Sequence, residues 1–159
     1  MARAQLDHQD DQRLNAAIIA ANIEESFESY LDIVDDFYSE DVEVILGEGT
    51  EPVRGRDNLR ERLTEFLTPI HMMAEVGRLS VSIQSTVIPA TGGAGTDSRW
   101  QARFRAASGS ARTFSWSIQR RWKEGRVNYE RHYDHQVDGE FAKVRPLHRR
   151  SGSPQSGVP

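Results

Sequence analysis

The stretch R-V-N-Y-E-R-H-Y-D, Arg126 to Asp134, decides how this chain is read. At strand period it sets Asn128, Glu130, His132 and Asp134 on one face, with Val127, Tyr129 and Tyr133 on the other. The preceding K-E-G, Lys123 to Gly125, reads as a three-residue hairpin loop with glycine in the left-handed position. That closes Trp122 against Arg126. Counting outward, Arg120 faces Asn128, Ile118 faces Glu130, Trp116 faces His132 and Phe114 faces Asp134. The ionisable set then shares a side with large aromatics, which is the make-up of a pocket wall rather than a dry core. A loop one residue longer reverses the parity, turning the tyrosines inward and leaving the polar set in solvent.

The 159 residues suit one domain with a full core. With no cysteine there is neither a disulfide framework nor a thiolate metal site. A net charge of -4 with both signs interspersed argues against a nucleic-acid surface. No apolar run reaches membrane-span length and the N-terminus lacks a signal-peptide core, so the expectation is a soluble cytoplasmic protein with no membrane partner. Polar residues 1–11 are expected to be disordered. So is the Pro/Gly-rich tail 143–159, leaving a single domain over 12–142.

From Gln12 to Ser39 apolar residues recur at helical spacing (Leu14, Ile18, Ala21, then Phe27, Leu31, Val34, Phe37, Tyr38), read as two helices bent near Ser29. The second is expected to end at Ser39-Glu40-Asp41. Val42, Val44 and Leu46 form a short strand, and Gly47 to Pro52 a turn. A third helix starts with Asp57 as N-cap, buries Leu59, Leu63, Phe66 and Leu67, and stops at Pro69. Alternating strands fill the rest: Leu79 to Val87, Arg99 to Arg105, Thr113 to Trp122, and Arg126 to Asp134. Helices followed by meandering strands give an α+β domain, with three N-terminal helices packed on a curved antiparallel sheet.

That order, with D-F-Y-S-E-D-V-E-V at Asp36 to Val44, E-P-V-R-G-R-D-N-L at Glu51 to Leu59 and W-K-E-G-R-V-N-Y-E-R-H-Y-D at Trp122 to Asp134, resembles the SnoaL-like and ketosteroid-isomerase-like branch of the nuclear transport factor 2 superfamily (NTF2-like). The resemblance covers about Asn15 to Asp138. It implies a cone-shaped barrel enclosing one apolar pocket, a homodimer formed through the outer sheet face, and His132 pointing into the pocket. It also implies proton-transfer chemistry without a cofactor on a small apolar molecule of polyketide, steroid or terpenoid type: a cyclase, isomerase, lyase (dehydratase) or hydrolase. The alternative is a non-catalytic ligand-binding or assembly module. The chain departs from the family's catalytic sets. Leu46 stands at the isomerase base, Ile118 near its oxyanion-holding acid and Asn22 near its tyrosine. His132 stands where cyclases and limonene-epoxide-hydrolase-like enzymes carry an aspartate. Arg99 and Gln101 fall near the positions of the hydrolases' Arg and second Asp.

His132 is the leading catalytic candidate because imidazole exchanges protons near neutral pH. Glu130 and Asp134 can orient it or act as bases themselves. Against this, Arg120 lies diagonally across the hairpin from Glu130 and can simply neutralise it, and Asp134 can cap a strand end. His71, after the third helix, matches a working histidine of dehydratase-like members by position alone. The remaining substrate-binding candidates are Trp116, Phe114, Ile118, Trp100, Tyr38 and Asn128. A His71–His132 metal pair lacks a third ligand, so no metal is expected. The arginines 99, 103, 105, 112 and 121 are read as a basic outer sheet face suited to solvent or a dimer contact.

Overall fold

The computed structural model describes residues 2–21, 23, 27–88 and 95–139. The expected disordered tail lies outside these residues, as does Asn22. The elements run α1 (Ala2–Ala20), α2 (Glu28–Phe37), β1 (Tyr38–Ile45), β2 (Val53–Arg54), α3 (Arg56–Glu75), β3 (Leu79–Ile88), β4 (Thr96–Ala106), β5 (Ala111–Lys123) and β6 (Arg126–Gly139). The six strands form one sheet in the order β2-β1-β6-β5-β4-β3. It is mixed, not purely antiparallel as expected, because β1 returns from the helical layer to lie parallel to β6.

Several boundaries move for identifiable reasons. The first helix starts at Ala2, so residues 2–11 are helical where a frayed lead was expected; Asp11 is buried at 1% exposure and anchors that segment. The second helix stops at Phe37, because Tyr38 is extended and already pairs with Val127 as the head of β1. Pro69 does not end the third helix, which runs on to Glu75. The only intrahelical bond the ring removes is the one to the Glu65 carbonyl, and Glu65 is exposed to water. Phe66, expected in the buried stripe, is 61% exposed; Leu59 and Leu67 face inward as expected, and Ala74 joins them.

The hairpin into β6 is a two-residue turn, with Glu124 (φ 53°) and Gly125 (φ 78°) both left-handed, and Lys123 pairs with Arg126. Trp122 pairs with Val127, and Asn128 is then an extra residue in β6, so that Arg121 faces Tyr129. The shorter turn and the bulge each displace the register by one residue. Between the turn and the bulge the facing is reversed, so Val127, expected outward with the tyrosines, is buried in the core. Beyond the bulge the expected facing is restored with partners shifted by two, Arg120 opposite Glu130 and Ile118 opposite His132. Further along, Ser117 pairs with Tyr133 and Ser115 with Gln136, so two β6 residues oppose Trp116. Asp134 takes the left-handed φ of 56° at this second bulge, and Phe114 pairs with Val137 rather than with Asp134.

The helices cover the concave face. Leu14, Val34, Tyr38, Val42, Val44, Val53, Leu59, Trp122 and Val127 make the core, joined by Ile18, Ile33, Phe37, Leu46 and Leu63. On the convex face Arg121 lies over Tyr129 and Arg131 over Tyr133, each within 5 Å of the ring centre. Gly95 enters β4 at φ 101°, and a Cβ there would sit 2.2 Å from the Arg120 carbonyl oxygen. Only glycine brings the two backbones this close.

Candidate active site

Five elements converge on one buried ion pair, Arg120 and Glu130. Glu130, 4% exposed, points inward from β6. Its Oε2 accepts from Arg120 Nε at 2.6 Å and from the Tyr38 hydroxyl at 2.5 Å, while Oε1 is 2.7 Å from His132 Nε2. Arg120, 1% exposed, also donates through Nη1 to Asp11 Oδ1 at 2.8 Å and to Asn15 Oδ1 at 2.6 Å, both on α1. Its guanidinium lies 6.0 Å from the Trp100 ring. The α1 spacing follows from helix geometry: Asp11, Leu14 and Asn15 share one face and all three are buried.

The electrostatics follow from this packing. Burial alone would raise the Glu130 pKa, but the Arg120 guanidinium, helped by the His132 hydrogen bond, holds the carboxyl well below the usual range. Tyr38 moves the other way: burial first, then the Glu130 charge, keeps its phenol protonated and donating. Arg120 is likewise held charged, because its two carboxylates outweigh desolvation. With Glu130 ionised, His132 Nε2 donates to it, and in the neutral ring Nδ1 keeps its lone pair. The His132 side chain is 18% exposed, whereas Arg120 and Glu130 are sealed. His135, one bulge further along, has its pKa lowered by burial and by the His132 charge.

The sequence candidates divide. Glu130, His132, Tyr38, Ile118 and Trp100 gather at the inward face. Trp116 stacks on Trp100 at 6.1 Å, and its buried Nε1–H has no partner among the described residues. Phe114 packs edge-on against Phe104, one step further from His132. Asn128 is the bulge residue, half-buried, with Oδ1 unpartnered among the described residues. Asp134 leaves the group: its bulge turns it out to solvent, where its carboxylate meets Arg99 Nη1 at 3.4 Å. His71 lies inside α3 instead of opening a strand. Its Nδ1 is 2.6 Å from the Ile23 carbonyl and its ring meets Phe27 edge-on, which ties α3 to the turn after α1. Arg99 and Gln101 both face outward, so the hydrolase correspondence brings no group inside. Asp11 and Asn15 were not among the sequence candidates, and Arg120 entered only as a neutraliser. The legible signal was Arg120 itself, a lone charge in the apolar alternation Phe114, Trp116, Ile118, Trp122.

Neither of two surface clefts formed by the described residues is lined by Glu130 or His132. The wider, about 360 Å³, lies between β2 and α3 and is lined by charged groups such as Glu51, Arg54, Glu61 and Arg62. The second, about 290 Å³, is formed by Ile19, Ala21, Ile23, Tyr30, Val81 and Ile83. Its β3 residues belong to the concave face. From there the paired rows step inward through Ile83, Ala102 and Phe114, then Ser85, Trp100 and Trp116, to Val87, Ser98, Ile118 and His132. The buried cluster is the better candidate because its groups are aimed at one another.

No family model matches the sequence, and no curated protein matches it. Solved structures do resemble it. An NTF2-like protein of unknown function from Exiguobacterium sp. 255-15 superposes with a TM-score of 0.57 at 15% identity, covering 77% of this chain and 95% of its own. A candidate polyketide cyclase from Xanthomonas campestris pv. campestris gives 0.55 at 14% identity over 80% and 92%. An LEH-like epoxide hydrolase of M. tuberculosis gives 0.51 at 18% identity over 79% and 82%. In the order of its elements and in these superpositions, the chain has the fold of the NTF2-like proteins.

Proposed function

We propose that this protein is an acid-base enzyme acting on a small, largely apolar molecule, with His132 as the proton-transferring group. The observation that carries this reading is the placement of Nε2 against Glu130, with no partner for Nδ1 among the described residues and the side chain 18% exposed. Glu130, fixed by Arg120 and Tyr38, orients the ring and stabilises the imidazolium formed when Nδ1 takes a proton. The unpartnered Trp116 N–H, diagonal to His132 across the β5–β6 ladder, supplies a donor for a ligand oxygen. The aromatic row of Trp100, Trp116, Phe104 and Phe114 suits a flat apolar body. Isomerisation, dehydration, cyclisation and water addition all need this one step. The likeness to structures named for cyclase and epoxide hydrolase activity is in keeping with it.

The second reading, a ligand-binding module without chemistry, is favoured by one observation: the apolar cleft lies away from His132. Mass spectrometry of ligand co-purified with the protein supplies the compound on which both readings are tested. His132→Gln keeps most of the size and hydrogen bonding of the ring and cannot shuttle a proton. It should retain binding and lose about 10²- to 10⁴-fold in turnover. Full turnover in that variant would remove His132 from the mechanism, and binding without turnover in the parent protein would select the module.

A further inference from the structure

We propose that Asp11, on the N-terminal helix, is a positioning residue that sets the proton affinity of His132 through Arg120. The proposal rests on the reading of His132 as the working group only for its consequence in catalysis; the coupling itself is a property of the free protein.

The geometry is a relay of three contacts. Asp11 Oδ1 accepts from Arg120 Nη1, Arg120 Nε donates to Glu130 Oε2, and Glu130 Oε1 accepts from His132 Nε2. Asp11 Oδ2 is buried with no partner among the described residues, so every hydrogen bond of that carboxylate goes to Arg120. One buried cation therefore faces two buried carboxylates. The cluster holds an excess negative charge while His132 is neutral and is balanced when His132 is protonated. The groups facing His132 or joined to it by this relay are Glu130 and His135 on its own strand, Arg120 on β5, Tyr38 on β1 and Asp11 on α1. Because the cluster is screened from water, the Asp11 charge acts at low effective dielectric and is felt across the relay.

Asn15 makes the coupling testable. Its Oδ1 bonds the same Nη1 as Asp11, one helical turn away, so the charge can be moved between the two positions with almost no change of shape. The experiment is a ¹⁵N NMR titration of His132 in the absence of any substrate. Asp11→Asn should lower the His132 midpoint by about one pH unit. Asn15→Asp alone should raise it, and the double variant Asp11→Asn/Asn15→Asp should return it to the parent value. A folded Asp11→Asn protein with an unshifted midpoint, or an Asn15→Asp protein with none, would overturn the proposal. A merely structural Asp11 would change stability in these variants without moving the titration. If the midpoints move as expected while His132→Gln keeps full turnover, the coupling stands and the catalytic reading of His132 falls.

Discussion

Arg120 shows how much one side chain can disclose. Its place in an alternating apolar strand required partners for a buried guanidinium, and of its two carboxylate partners only Glu130 was within reach of a strand-by-strand count. The other, Asp11, comes from more than a hundred residues away on a helix whose polar face gave no such sign. Glu130 and Asp134 make the contrast at residue scale, since they stand four positions apart in sequence and both are read from it as groups that can orient His132. The bulge at Asp134 leaves one carboxylate sealed against Arg120 and the other in solvent against Arg99. Glu130→Gln breaks a buried ion pair from one side and is expected to cost about 3 kcal/mol or more. Asp134→Asn removes an exposed pair and should cost less than about 1 kcal/mol. Urea denaturation of the two variants checks this, and equal costs would mean that the pair at Glu130 is not a structural one.

At the scale of elements, the alternation in β3 to β6 made the sheet legible and even gave the correct facing of Glu130 and His132. The register was not legible, because it depends on two bulges and a turn whose left-handed Glu124 has no sequence signature. Nor was the extent of the first helix. Its low amphipathicity reflects a docking surface of Leu14 flanked by Asp11 and Asn15, and the Arg3 guanidinium adds a bond to the Trp122 carbonyl. The entry to β4 supplies the prediction at this scale. Gly95→Ala forces a Cβ onto the Arg120 carbonyl at a φ that alanine avoids. Strain and overpacking together are expected to cost about 2–4 kcal/mol, read as a drop in the urea midpoint. Because the clash falls on the backbone of the residue at the centre of the cluster, the variant should also disturb the His132 resonances. A neutral Gly95→Ala would mean that β4 and β5 can separate locally without cost.

For the molecule as a whole, the same cluster predicts a loss of stability in acid. Glu130 is held ionised in the native state well below the carboxylate range, whereas in the unfolded chain it titrates at about 4.3. Between those limits the unfolded state binds a proton that the native state refuses, so stability rises with pH there and falls as the solution is acidified. The contribution of Glu130 is therefore complete above about pH 5 and should decline steadily as the pH falls below that. Other carboxylates titrate over the same interval, so the quantity to measure is the difference in unfolding free energy between the parent protein and Glu130→Gln. That difference should be largest near neutrality and shrink steadily below pH 5, since glutamine carries no proton to bind. A difference that stays constant from pH 6 to pH 2 would show that Glu130 is not held ionised by Arg120, and the orienting role given to it beside His132 would fall with it.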